Sequence, residues 1–194
     1  RREGQPLRHI GGKGYLIDTG GSGFEIGRDA ICAALQAVDG RRGSTVLVEL
    51  LAGIIGQPID DHVTPIVHRG GRPYIASFAK AVFEGRRLGD EACEEIFQRH
   101  AALMADLTYA AQTSFEGDFD VVAGGGIVSH YPEYFEAIRE KSAPGAKLVL
   151  QDAPPVYGAA VEALWDAGEQ ATRSFKARFL EQYTRETKRE TDGG

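Results

Sequence analysis

Two glycine clusters carry the residues best suited to chemistry in this 194-residue chain. The first is the run IGGKGYLIDTGGSG from Ile10 to Gly23, in which Asp18, Thr19 and Ser22 stand among glycines. Backbone free of Cβ atoms lets a ligand approach closely, and the three side chains could receive a sugar hydroxyl or, with the loop amides, a phosphate. The plainer reading is a tight turn before a helix N-cap. Ser22 and Glu25 have the S-x-x-E spacing of a capping box, which by itself accounts for Ser22. The second cluster is Gly124-Gly125-Gly126, after the apolar run Phe119-Asp120-Val121-Val122-Ala123 and before a helix that carries Ser129. A glycine turn leaving a parallel strand and opening a helix is where α/β proteins place ligands. It can equally serve only to pack helix on sheet.

Other candidates are weaker. The chain has no G-x-x-x-x-G-K-[ST] phosphate loop and no G-x-G-x-x-G fingerprint, and Phe24 spoils a nucleophile elbow. Asp60, Asp61, His62 and His68 could gather a metal but read as a solvated loop. His100 reads as a satisfied core histidine, while His130, just after the triple glycine, is the histidine to watch. Tyr131, Tyr134 and Phe135 read as core or interface.

The elements that must position these residues follow from periodicity. Tyr15-Leu16-Ile17 reads as a buried strand between two turns. A helix from Ser22 carries Ile26, Ala30, Ala34 and Val38 at helical spacing and stops near Gly40. An apolar helical stretch covers 45–55, and an irregular Gly/Pro/Asp/His loop covers 56–72. Ile75, Phe78, Ala79, Val82 and Phe83 form one helical stripe ending at Gly85. A helix capped by Asp90 carries Cys93, Ile96, Phe97, Met104 and Leu107. Then come strand 119–123, a helix opened near Pro132, strand 147–150 and a helix after Pro154-Pro155: a βαβ unit with parallel strands. The charged stretch 173–194 reads as a helical extension.

Composition narrows the classes. Hydrophobic residues make up 42% and charged residues 26%, an ordinary globular balance, and the net charge of −6 has the wrong sign for a nucleic-acid or anionic-membrane binder. Cys32 and Cys93 sit in apolar helical patterns, so a reducing, cytoplasmic setting is expected. No apolar run approaches the ~20 residues of a membrane span.

GGKGYLIDTGGSGFEIGRDAICAALQAVDGR resembles the GGWGxxxGDEGSxxxIGxxAxxAxxxxxDGR stretch of N-acetylglucosamine kinases, within the BadF/BadG/BcrA/BcrD group of ATPases. IASFAKAVFEGRRLGDEACEEIFQRHAALMADL is similar to that family's helical pair, VVAGGGIVSHYPEYFEAIREK to its adenosine motif, and PPVYGAA to its close. The similarity runs in order from about residue 8 to 170.

The resemblance implies an α/β, ribonuclease-H-like (actin-like ATPase) lobe with parallel strands and flanking helices. Residues 1–172 would form the C-terminal lobe of a two-lobe kinase, with ATP, Mg²⁺ and sugar in the cleft. Position by position it implies substrate contacts at Gly12, Lys13, Asp18 and Thr19. It implies nucleotide contacts at Ala76, Gly124, Gly125, Gly126 and Ser129. The departures fall on the sugar side: the family's tryptophan is Lys13 here, and GDEGS has become Asp18-Thr19-Gly20-Gly21-Ser22, with its acid one place early. The family's D-x-G-G-T phosphate loop and catalytic aspartate would lie before residue 1. Residues 18–22 resemble such a loop superficially, but a helix rather than a returning strand is expected after them. The expectation is a kinase lobe for an amino sugar, incomplete and inactive without an N-terminal lobe in cis or trans. An ATP-hydrolysing activator and a non-catalytic nucleotide-binding lobe are the alternatives. A lone lobe would expose its cleft face and could form a homodimer.

Overall fold

The computed structural model describes residues 8–18, 20–68 and 70–192, with side chains through 187. The chain divides into two compact units, Arg1–Val149 and Leu150–Gly194.

In the larger unit, α1 (Gly23–Val38) starts at Ser22, whose hydroxyl accepts the Glu25 amide while Glu25 accepts the Ser22 amide. This complete capping box contributes about 1 kcal/mol to the helix start. α1 buries Ile26, Ala30, Ile31, Ala33 and Ala34. Its companions are α2 (Leu47–Ile55), a 3₁₀ turn Asp60–His62, α3 (Val63–His68), α4 (Gly71–Ser77) and α5 (Ala79–Arg87). α6 (Glu91–Gln112) begins at Asp90, whose carboxylate takes the Cys93 amide as expected. The Asp90 carboxylate also takes the Val46 amide and the Thr45 hydroxyl, tying the entry of α2 to the entry of α6.

β1 (Phe119–Ala123) leads into α7 (Gly126–His130) and α8 (Pro132–Lys141), then into β2 (Ala146–Leu150), which pairs with β1 in a parallel two-stranded sheet. The fold is mixed α/β, and among the described residues these are its only strands. Phe83, Phe97 and Tyr134 meet edge to face with centroids 5.4–5.9 Å apart, joining α5, α6 and α8. Tyr134 is 1% exposed, so the aromatic group after the triple glycine is core, as read from sequence. In the second unit, α9 (Pro155–Asp166) and α10 (Arg173–Asp192) meet through Tyr157, Phe175 and Phe179.

Four expectations are corrected. Tyr15–Ile17 is not a buried strand but an exposed turn: the Ile17 and Asp18 amides both return to the Gly14 carbonyl, and Leu16 and Ile17 are 79% and 82% exposed. Residues 56–72 are largely helical, because Ile59 and Ile66 bury themselves in the core and draw the segment into short turns. The Ile75–Phe83 stripe is two helices, broken at Phe78. Gly85 is no helix stop. It lies inside α5, where a Cβ would stand 2.3 Å from the Cys93 sulfur.

Candidate functional site

The first glycine cluster folds over α1 and α6 into a pocket of about 240 Å³. Its polar lining is Asp18, Ser22, Glu25 and Arg72 beside Gly11, Gly12, Gly14 and Gly20, with Tyr15, Leu103 and Leu107 supplying apolar wall. Gly11, Gly12 and Gly21 have φ near +67°, so the turns on both sides of the pocket require glycine.

The Gly20–Ser22 turn is held from inside the protein. Glu25, 4% exposed, accepts the Gly20 amide with one carboxylate oxygen at 2.8 Å and the Ser22 amide with the other at 3.0 Å. The Gly21 amide goes to His100 Nδ1 at 3.2 Å, and the Tyr134 hydroxyl donates to the Gly21 carbonyl at 3.2 Å. All three amides of the turn are thus occupied. A phosphate loop needs its amides pointing outward at the anion. Here the Gly20, Gly21 and Ser22 amides face a carboxylate and an imidazole, and α1 follows, so these three residues present no amide to a phosphate. What the pocket offers is acceptor oxygen. Asp18 takes the Lys13 amide on Oδ2 at 2.9 Å, and among the described residues no donor is bonded to its Oδ1.

In the same lining, the Arg72 guanidinium lies 5.0 Å from the Tyr15 ring centroid and 5.7 Å from that of Phe24. The pocket therefore combines carboxylate acceptors, a cation and a half-exposed tyrosine, a set that can receive a polyol bearing a polar substituent.

The structure brings Gly12 and Asp18 into this one pocket. Lys13 contributes its amide to Asp18, but its ammonium turns to the His9 carbonyl at 3.4 Å and does not line the pocket. Thr19 lies outside the described residues. Of the nucleotide-side residues, Ala76 borders α1 near Gly23, where Ile127 also arrives. Gly124, Gly125, Gly126 and Ser129 are exposed at the β1–α7 turn, and no atom lies within 4 Å of where a Cβ would stand at Gly125 or Gly126.

His130 hydrogen-bonds the Gly126 carbonyl through Nδ1 at 2.7 Å, within its own helix. His62 is engaged on both nitrogens, by Gln57 and by the Tyr74 hydroxyl. Among the described residues no three His, Cys, Asp or Glu side chains gather as metal ligands.

Sequence reasoning missed the second role of Glu25, the placement of Arg72 and the bonding of His100. Glu25 was visible as a cap. The other two depend on contacts between residues far apart in the chain, and nothing local announces them.

These observations define a mixed α/β unit with a pocket lined by Asp18, Glu25 and Arg72 and, separately, an open glycine turn. No family model matches the chain. It is similar to the N-acetylmuramic acid/N-acetylglucosamine kinase of Clostridium acetobutylicum, 25% identical over 173 residues, which cover 82% of this chain and 55% of that protein. Its fold resembles a crystal structure from Chromobacterium violaceum, provisionally named an N-acetylglucosamine kinase, with a TM-score of 0.60 at 22% identity over 78% of this chain and 50% of that one. The chain spans about half the length of the proteins it matches. Among the described residues no helix is long and apolar enough to cross a membrane.

Proposed function

We propose that this chain is the C-terminal lobe of an ATP-dependent kinase that phosphorylates a hydroxyl of an N-acetylglucosamine-like amino sugar. The observation that carries the reading is the internal saturation of the Gly20–Ser22 turn. With the turn's amides occupied and Asp18 and Glu25 in the lining, the pocket suits hydroxyl donors better than a phosphate, which supports an acceptor site. The likeness to two proteins named as amino-sugar kinases supports the same assignment. Gly12 and Asp18 would receive the sugar, with Thr19 and Lys13 at its margin.

The residues at the β1–α7 turn fit a nucleotide, because the open space over Gly125 and Gly126 would close if either carried a side chain. Ala76, Gly124, Gly125, Gly126 and Ser129 would hold ATP, which supplies the phosphoryl group. No group of three His, Cys, Asp or Glu exists among the described residues to hold Mg²⁺ by itself. On this reading the Mg²⁺ ligands, the phosphate loop and the catalytic base belong to a second lobe. The exposed Leu16 and Ile17 beside the acceptor pocket are apolar surface of the kind an interlobe contact covers.

The test is ADP release by the full two-lobe protein with and without N-acetylglucosamine. Sugar-dependent release is expected. Sugar-independent release would instead indicate an ATP-driven switch. ATP binding without turnover would leave a non-catalytic nucleotide-binding lobe.

A further inference from the structure

We propose that His100 is a positioning residue for the acceptor pocket. Held by Asp29 as its Nε2–H tautomer, it fixes the Gly20–Ser22 turn that forms one wall of that pocket. This rests on the reading of the pocket as the acceptor site.

His100 is 1% exposed on α6. Its tautomer follows from its partners. The Gly21 amide can only donate, so Nδ1 must accept, and the ring proton sits on Nε2, 2.9 Å from Asp29 Oδ2. The Asp29 carboxylate also receives Arg28 Nε at 3.1 Å and Arg99 Nη2 at 2.5 Å. Burial acts to raise its pKa, but the hydrogen bonds from His100 and Arg28 outweigh it and hold the group at about 2. The ionised carboxylate thus keeps the imidazole oriented, much as a carboxylate orients a metal-bound histidine.

The hydrogen-bonded chain to the turn is continuous: Arg28 and Arg99, Asp29, His100, Gly21. Leu103, one turn beyond His100, lines the acceptor pocket. On the far side of Gly21, Tyr134 holds the carbonyl, so α6 and α8 grip one residue by both its polar groups. No side chain could take Gly21's place, since its φ is +69° and a Cβ would stand 2.2 Å from Met104 Cγ. A histidine that merely filled the core would need bonded nitrogens. It would not need one of them on the middle amide of a ligand-binding turn.

Two variants separate positioning from packing. In His100→Asn the side-chain oxygen sits where Nδ1 sat and can accept the Gly21 amide, but does not reach Asp29. In His100→Gln the amide reaches Asp29 and leaves Gly21 without an acceptor. In the full chain, His100→Gln should weaken N-acetylglucosamine binding about tenfold and speed hydrogen exchange at the Gly21 amide by a similar factor. His100→Asn should restore both. Unchanged exchange and affinity in His100→Gln would overturn the proposal, as would equal losses of stability and binding in both variants.

The ¹⁵N shifts of the wild-type His100 ring give a readout that needs no variant. A proton on Nε2 alone is expected, and a proton on Nδ1 would overturn the assignment. If the wild type binds no N-acetylglucosamine, the functional reading fails. Gly21 exchange still decides the positioning role: protection lost in His100→Gln alone keeps it, and equal protection in all three proteins removes it.

Discussion

The two glycine turns, Gly20–Ser22 before α1 and Gly124–Gly126 before α7, look alike in sequence and differ in what surrounds them. In the first, the protein itself fills the space: Met104 and His100 crowd Gly21, and Glu25, His100 and Tyr134 occupy the backbone polar groups. In the second, Gly125 and Gly126 face open space. A crowded glycine turn is a finished wall whose neighbouring carboxylates can read a ligand. An open one leaves room for a ligand to lie on the backbone. On the proposed reading the first turn borders a hydroxyl-bearing acceptor and the second a flat or extended nucleotide, a distinction that glycine content alone does not make.

The comparison breaks most visibly at Gly21. Gly21→Ala places a methyl against Met104 and 2.9 Å from the His100 carbonyl oxygen at a positive φ, so thermal unfolding should show a loss of about 3 kcal/mol. A wild-type melting temperature would mean the turn is not packed from inside.

The Asp29 arrangement sharpens the same region by pH. Its folded-state pKa is depressed, so its contribution is complete above the unfolded value of 3.8 and is lost as the pH falls through that value toward about 2. The full effect is about 2 kcal/mol, and Asp29→Asn should flatten the acid limb of the stability profile over that window. An unchanged limb would show that Asp29 gains nothing from His100 and the arginines.

The smallest effect on stability belongs to the open turn. Gly126→Ala should leave stability unchanged or raise it by up to ~1 kcal/mol, read from thermal unfolding, because alanine favours the helical position. On the proposed reading it should weaken ATP binding about tenfold, or 1.4 kcal/mol, by filling the space over the turn. Equal ATP affinity in the variant would remove the β1–α7 turn from the nucleotide site.

Features set by neighbouring residues were legible in the sequence. The Ser22–Glu25 box, the Asp90 cap, Pro132 at the start of α8 and the β1–helix–β2 alternation all depend on contacts within a few positions, and all appear in the structure. Tyr15–Ile17 misled because three apolar residues fit a strand, whereas here they ride an exposed turn closed by the Gly14 carbonyl. Residues 56–72 misled in the opposite sense: Gly, Pro and Asp suggested a loop, yet two isolated isoleucines, Ile59 and Ile66, anchor it to the core. The site was half legible. Gly12 and Asp18 stand in the motif itself, but the turn's rigidity depends on His100 and Tyr134, 79 and 113 residues from Gly21 along the chain. Such pairings are products of the tertiary fold and leave no spacing to read.

The central assignment of sugar to one glycine turn and nucleotide to the other is tested most directly by a ¹H–¹⁵N titration of the chain with N-acetylglucosamine. We expect the amide signals of Gly12, Lys13, Asp18 and Gly20 to move while those of Gly125 and Gly126 stay in place. Movement confined to the β1–α7 turn, or no movement at saturating sugar, would contradict it.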